Sequence, residues 1–210
     1  MSASRVVQPV RVGRLLQSGI SSFRVAVPAN QVDALAYGAL VTVPVSAGLS
    51  IYGVVADILF ESDPLTRVMA GAIDIPQTTF DSLRSQGAGV EVSVMTVGHQ
   101  VNGLISHGLP PRPPLGLDEL HPCADQQILA FTQDPLYLRN LFNKLDDPLI
   151  ADLIAAHLGI VQAVHARHDH NHNHWMAKVI SAMIDDYKKD PGLIRILLAL
   201  QATLPEEVLR

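Results

Sequence analysis

Leu40-Val41-Thr42-Val43-Pro44-Val45, then Ala47-Gly48, then Ile51-Tyr52-Gly53-Val54-Val55-Ala56-Asp57-Ile58 is the stretch on which the fold turns. Two runs of β-branched residues separated by small turn residues read as a hairpin. Pro44 has no amide hydrogen to give a ladder, so it marks an edge or a bulge, and Gly53 inside a strong strand marks a tight barrel bend. Outward from this hairpin the pattern repeats. Residues 11–16 and 22–27 are apolar-rich runs joined by Gln17-Ser18-Gly19-Ile20-Ser21-Ser22, and 90–97 is a further alternating run. Short strands without intervening helical periods predict a small antiparallel barrel or sandwich, not a βαβ sheet.

Composition is consistent with a packed protein. The 210 residues are 48% hydrophobic and 17% charged, enough apolar side chains for a sizeable core. The net charge of −5 is spread over both halves, −2 in residues 1–124 and −3 in 125–210. Neither half is a basic arm, so nucleic acid is expected only as an indirect partner. Cys123 is the single cysteine and reads as a small apolar residue at a junction. The N-terminal residues lack the apolar core of a signal peptide, and the longest apolar run, 193–200, is broken by Arg195. The expectation is a cytoplasmic protein with no membrane partner.

Pro110-Pro111-Arg112-Pro113-Pro114 ends the β pattern and reads as a stiff connector. Beyond Gly116 the texture is helical. Asp134-Pro135, Asp147-Pro148 and Asp190-Pro191 each place a capping carboxylate before a proline at the first helical position. Apolar residues recur at helical spacing after Pro148 (Leu149, Ile150, Leu153, Ile154, Leu158, Val161) and after Trp175 (Val179, Ile180, Met183, Ile184). His157 falls on the first stripe, where a hydrogen-bonded core histidine is expected. Residues 193–200 are apolar nearly all round and are expected to be buried, in this chain or against a partner. A final short turn is expected at 203–207. The fold class is therefore α+β: an N-terminal small antiparallel β-barrel over residues 1–116, then a C-terminal α-helical domain over 117–210.

Four stretches of the first half resemble one family. Val12-Gly13-Arg14-Leu15 followed by Phe23-Arg24-Val25 is similar to its opening hairpin, and Tyr37-Gly38-Ala39-Leu40-Val41-Thr42-Val43 to its glycine-then-strand step. Ile51 to Ile58 is similar to its glycine-centred strand, and 110–120 with Asp125-Gln126-Gln127-Ile128-Leu129 to its proline-rich exit and following helix. Residues 10–128 thus resemble the HAS-barrel, found at the N-terminus of HerA-type DNA-translocating ATPases and of rotary ATP synthase subunits. The resemblance implies a barrel that makes subunit contacts in a collar. In the ATPases a nucleotide-binding core follows the barrel, and its phosphate loop ends in Gly-Lys-Ser/Thr. Here the only lysines are Lys144, Lys178, Lys188 and Lys189, and none follows a glycine. The resemblance therefore implies a non-enzymatic assembly or docking module, self-associating or binding a HerA-type ATPase.

His165-Ala166-Arg167-His168-Asp169-His170-Asn171-His172-Asn173-His174 is the chemically unusual segment. It reads first as a solvated His-rich loop between two helices. His165, His168, His170, His172 and His174 are the candidate metal ligands, since imidazole suits zinc or nickel and short histidine tracts hold such ions weakly. No other cofactor and no catalytic residue is expected, because no His-Glu-x-x-His, Gly-x-Ser-x-Gly or phosphate-loop pattern occurs. The alternative is a metal-dependent hydrolase or nuclease using residues 165–174 with Asp169 or Asp152.

Overall fold

A computed structural model describes residues 10–60, 89–168, 172–188 and 190–203. Seven strands are present: β1 (Gly13–Ser18), β2 (Ser22–Pro28), β3 (Leu40–Ser46), β4 (Leu49–Phe60), β5 (Gly89–Val101), β6 (Leu104–Ser106) and β7 (Glu119–Pro122). All pairings are antiparallel, in the order β2-β1-β7-β3-β4-β5, and β5 pairs back onto β2. Six strands therefore close into a barrel, which removes the free edges of an open sheet. β6 hangs on the far end of β5. The closing strand β7 comes after Gly116, where the texture of the sequence turns helical. At four residues it is too short for alternation to reveal it.

Bulges shape the barrel where the hairpin residues suggest. The β3–β4 register shifts between Pro44 and Ser46, and the β4–β5 register shifts beside Gly53. A Cβ at Gly53 would lie 2.4 Å from Val94 Cγ1 and 3.0 Å from Met95 O, so only glycine admits this approach. Val41, Val43, Ile51, Val55, Val92 and Val94 fill the barrel interior with Phe23 and Leu120. Because side chains alternate along a strand, Leu40, Tyr52, Val54, Met95 and Val97 belong to a second core on the outside. That second core explains why β3 and β4 are apolar on both faces.

The helices cover this outer face. They are α1 (Asp125–Phe131), a 3-10 turn (Pro135–Leu138), α2 (Arg139–Phe142), α3 (Pro148–His168), α4 (His172–Tyr187) and α5 (Pro191–Thr203). All three Asp-Pro pairs cap as the sequence suggests: Asp134, Asp147 and Asp190 accept from the amides of Leu136, Leu149 and Gly192 at 3.0, 3.0 and 2.7 Å. α3 is the central helix. Its segment Leu149–His168 is long and apolar enough to cross a membrane by length and composition, contrary to the sequence expectation, yet 61% of the apolar window is buried inside the fold. Leu149 of the apolar stripe is exposed, and within this chain α5 is covered on one side: Leu193, Ile196 and Leu200 are buried, whereas Ile194 and Leu198 are exposed. The turn expected at 203–207 falls, beyond Thr203, outside the described residues.

Candidate functional site

The barrel and the helical layer are joined by a buried polar seam. The chain turns at Gly38, whose φ of 86° suits glycine. The Gly38 carbonyl points at α3, where His157 Nδ1 lies 2.7 Å away. A carbonyl only accepts, so Nδ1 carries the proton and the Tyr137 hydroxyl donates to Nε2 at 3.1 Å. Neither His157 nor Tyr137 has any exposure. Burial holds the His157 imidazole at a pKa of about 4 and pushes the Tyr137 phenol up, since a charge has no water to solvate it there. Both side chains are structural. They satisfy each other and fasten a loop to a helix 119 residues further on.

The aromatic rings beside the seam are continuous with it. Tyr52 stacks on Phe131 at 4.4 Å between centroids, and His107 and Tyr137 meet Phe131 edge-on at 5.1 and 5.7 Å. His107 Nε2 lies 3.0 Å from Phe131 O. His99 and His121, which read as loop residues in the sequence, sit in β5 and β7 instead. Cys123 is partly buried and burial pushes its thiol up, so it is protonated and inert at neutral pH. Gln162 of α3 is buried with neither amide atom hydrogen-bonded among the described residues.

The histidine segment is split by the fold. His165 and His168 lie in the last turn of α3, and His170 with Asp169 falls outside the described residues. The backbone of His172 and His174 opens α4, and their side chains also fall outside the described set. His165 is not solvated: it is 6% exposed, its Nε2 lies 3.0 Å from Thr132 Oγ1, and its ring stacks on Trp175 at 4.3 Å. Trp175 Nε1 donates to Thr132 O at 2.7 Å, so these three residues lock α1, α3 and α4 together. His168 faces the other end of α1 from the surface. Its Nε2 lies 2.9 Å from Asp125 Oδ2, which also receives Arg167. The His168 hydrogen bond, with Arg167 beside it, holds the Asp125 carboxyl below its usual range. Among the described residues no three metal-binding side chains converge. Asp152, the other carboxylate considered for hydrolysis, is exposed on the second turn of α3.

Surface features stand out more than any cleft. A groove of about 230 Å³ runs between the 3-10 turn with α2 and the face of α4, floored by Phe142, Met183 and Tyr187. Leu115, Leu117 and Leu16 project from a loop and the adjoining β1, beside Arg11 and Arg14, which share Glu119 at 3.2 and 2.8 Å. The Arg11 hydrogen bond, ahead of the Arg14 charge, lowers the Glu119 carboxyl. Sequence reasoning missed this patch. Its signal is the Leu115-Gly116-Leu117-Asp118 turn, two large apolar residues where turn chemistry favours polar ones. Fold and surface define an α+β protein built as a closed barrel with a helical layer on one side. No protein-family model matches the chain, and no curated protein is significantly similar to it.

Proposed function

We propose that this chain is a non-enzymatic assembly module, a HAS-type barrel with a helical layer that self-associates or docks to a HerA-type DNA-processing ATPase. The observation that carries the reading is where the molecule places its large apolar side chains. Leu16, Leu115, Leu117, Ile194 and Leu198 are each more than half exposed, the last two at 64% and 61%. Exposed leucines and isoleucines that form a contiguous patch serve contacts with other proteins. The His157 and His165 imidazoles, by contrast, are occupied in hydrogen bonds or ring stacks that hold the fold. The family resemblance of residues 10–128 supplies the kind of partner.

The test has two arms. Light scattering behind size-exclusion chromatography measures self-association of the full chain. Titration of the purified chain into a purified HerA-type ATPase, followed by calorimetry and by ATPase rate, measures docking. A monomer that neither binds the ATPase nor alters its rate refutes the reading, and so does ATP hydrolysis by the chain alone.

A further inference from the structure

Asn102-Gly103 closes the β5–β6 hairpin as a two-residue turn, with Val101 paired to Leu104 across it. Asn102 sits at φ 49° and Gly103 at φ 86°. Both central residues are left-handed, the conformation for which Asn-Gly is the favoured pair in a tight hairpin. Residues 101–104 are all exposed. The turn is tied down on either side of one amide but not at that amide. Asn102 N donates to Gly48 O at 2.7 Å, and Gln100 Nε2 donates to Gly103 O at 3.2 Å. The Gly103 nitrogen makes no hydrogen bond among the described residues. A Cβ added at Gly103 would meet nothing within 4 Å, so the space over this amide is open.

An exposed side-chain amide next to a free, unhindered backbone nitrogen is the arrangement from which a cyclic imide forms. The Gly103 nitrogen attacks Asn102 Cγ, a five-membered ring closes, and the side-chain nitrogen leaves as ammonia with the proton the backbone nitrogen gives up. Water then adds to one of the two ring carbonyls. Breaking the bond to Cγ leaves aspartate, and breaking the bond to the main-chain carbonyl carbon leaves isoaspartate. Glycine on the following side matters because it has no Cβ to crowd the attacking nitrogen. Each of the other five asparagines precedes glutamine, leucine, lysine or histidine.

We propose that Asn102 is a self-modifying position, converting through this imide to aspartate and isoaspartate and so releasing the β5–β6 turn from the β3–β4 turn. The two turns meet at Asn102. Gly48, at φ 86°, is the second residue of the 47–48 turn between β3 and β4. The Asn102 side chain rests on it so closely that a Cβ at Gly48 would collide with the amide. Isoaspartate adds one atom to the main chain, which a two-residue turn of fixed twist does not accommodate. β6 has three residues and depends on that turn for its register on β5. The same shortness lets the reaction start: ring closure needs the turn to leave its folded geometry, and a three-residue strand at the end of a sheet opens locally without the barrel unfolding. The change needs no partner and stands apart from the assembly reading above.

The test ages the full chain, folded, at mildly alkaline pH and follows it by peptide mapping with mass spectrometry. Methyl transfer by an isoaspartyl methyltransferase marks the isoaspartate. Asn102 should convert before any other asparagine, Asn102→Gln should abolish the mark, and Gly103→Ala should slow conversion at least about tenfold by crowding the nitrogen. In the modified chain, separated by its added negative charge, amide hydrogen exchange should quicken across 98–106 and stay unchanged in β2. Conversion of another asparagine first, or conversion of Asn102 only after the chain is unfolded in urea, overturns the proposal. Unchanged exchange across 98–106 in the isoaspartate form overturns the release of the turn.

Discussion

Replacing Gly38 with alanine should cost far more than its conformation alone requires. At φ 86° an added Cβ would lie 2.7 Å from His157 N and 3.0 Å from Ala156 C. Both atoms are backbone of α3, which cannot rotate aside as a side chain could. The positive φ by itself costs alanine about 1–2 kcal/mol. Forcing α3 away strains a packed layer, at about 1–3 kcal/mol. It also breaks the 2.7 Å bond from His157 Nδ1 to Gly38 O, and a buried donor left unpaired costs about 1–3 kcal/mol. These contributions overlap, and together they come to about 3–5 kcal/mol. Gly103 supplies the control, since it has the same φ of 86° and nothing within 4 Å of an added Cβ. Gly103→Ala should lose only the conformational part, about 1–2 kcal/mol. Urea unfolding of the two variants measures the difference directly. A gap between them below about 1 kcal/mol would show that the loop and α3 are not pressed together as described.

Other outcomes follow from the same seam and its neighbours. The His157 ring takes a proton near pH 6.5 when unfolded and only near 4 when folded. The unfolded chain therefore binds more protons between these values, and stability should fall as pH drops through that window, by roughly 3 kcal/mol in total. A stability profile that is flat from pH 7 to about 4.5 would contradict the buried neutral imidazole. Gln162→Met keeps the length of the side chain and removes two unpaired buried polar atoms; it should raise the urea midpoint by the equivalent of about 1–2 kcal/mol, and a loss would mean the amide has a bound partner. His165→Ala should cost about 2 kcal/mol because it empties the space against Trp175 and frees Thr132. His168→Ala, at an exposed hydrogen bond to Asp125, should change thermal stability by less than about 1 kcal/mol. His165→Ala should leave any zinc or nickel uptake by the histidine segment unchanged, because its ring is already held by Thr132 and Trp175, and a loss would place His165 among the ligands.

Much of the β half was readable because its signals are local. The β-branched-rich or alternating runs at 22–27, 40–45, 51–58 and 90–97 all became strands, Pro44 marked a bulge, and the β4–β5 register shifts beside Gly53, read as a bend. Their physics acts within one strand or its hairpin neighbour. The three Asp-Pro caps were readable for the same reason, since the carboxylate and the amide it accepts from are two residues apart. The candidate contact surfaces were hidden. Leu115 and Leu117 look like any apolar residues until the φ of Leu117 and the Asp118 hydrogen bond turn them outward. Residues 193–200 of α5 gave little sign of which side would face solvent, because Arg195 is their one polar residue.

From its residues alone this chain declares strands, turns, capped helices and a histidine-rich junction, since each depends on neighbours a few positions away. Only the tertiary structure decided that β7 closes the barrel and that the helices cover its outer face over Tyr52, Val54 and Met95. It alone decided that His157 holds Gly38, that His165 is buried beneath Trp175, and that Ile194 and Leu198 stay in water. The reason is separation along the chain. These contacts join residues that no local period relates, and which side of a helix is buried depends on what else has already packed.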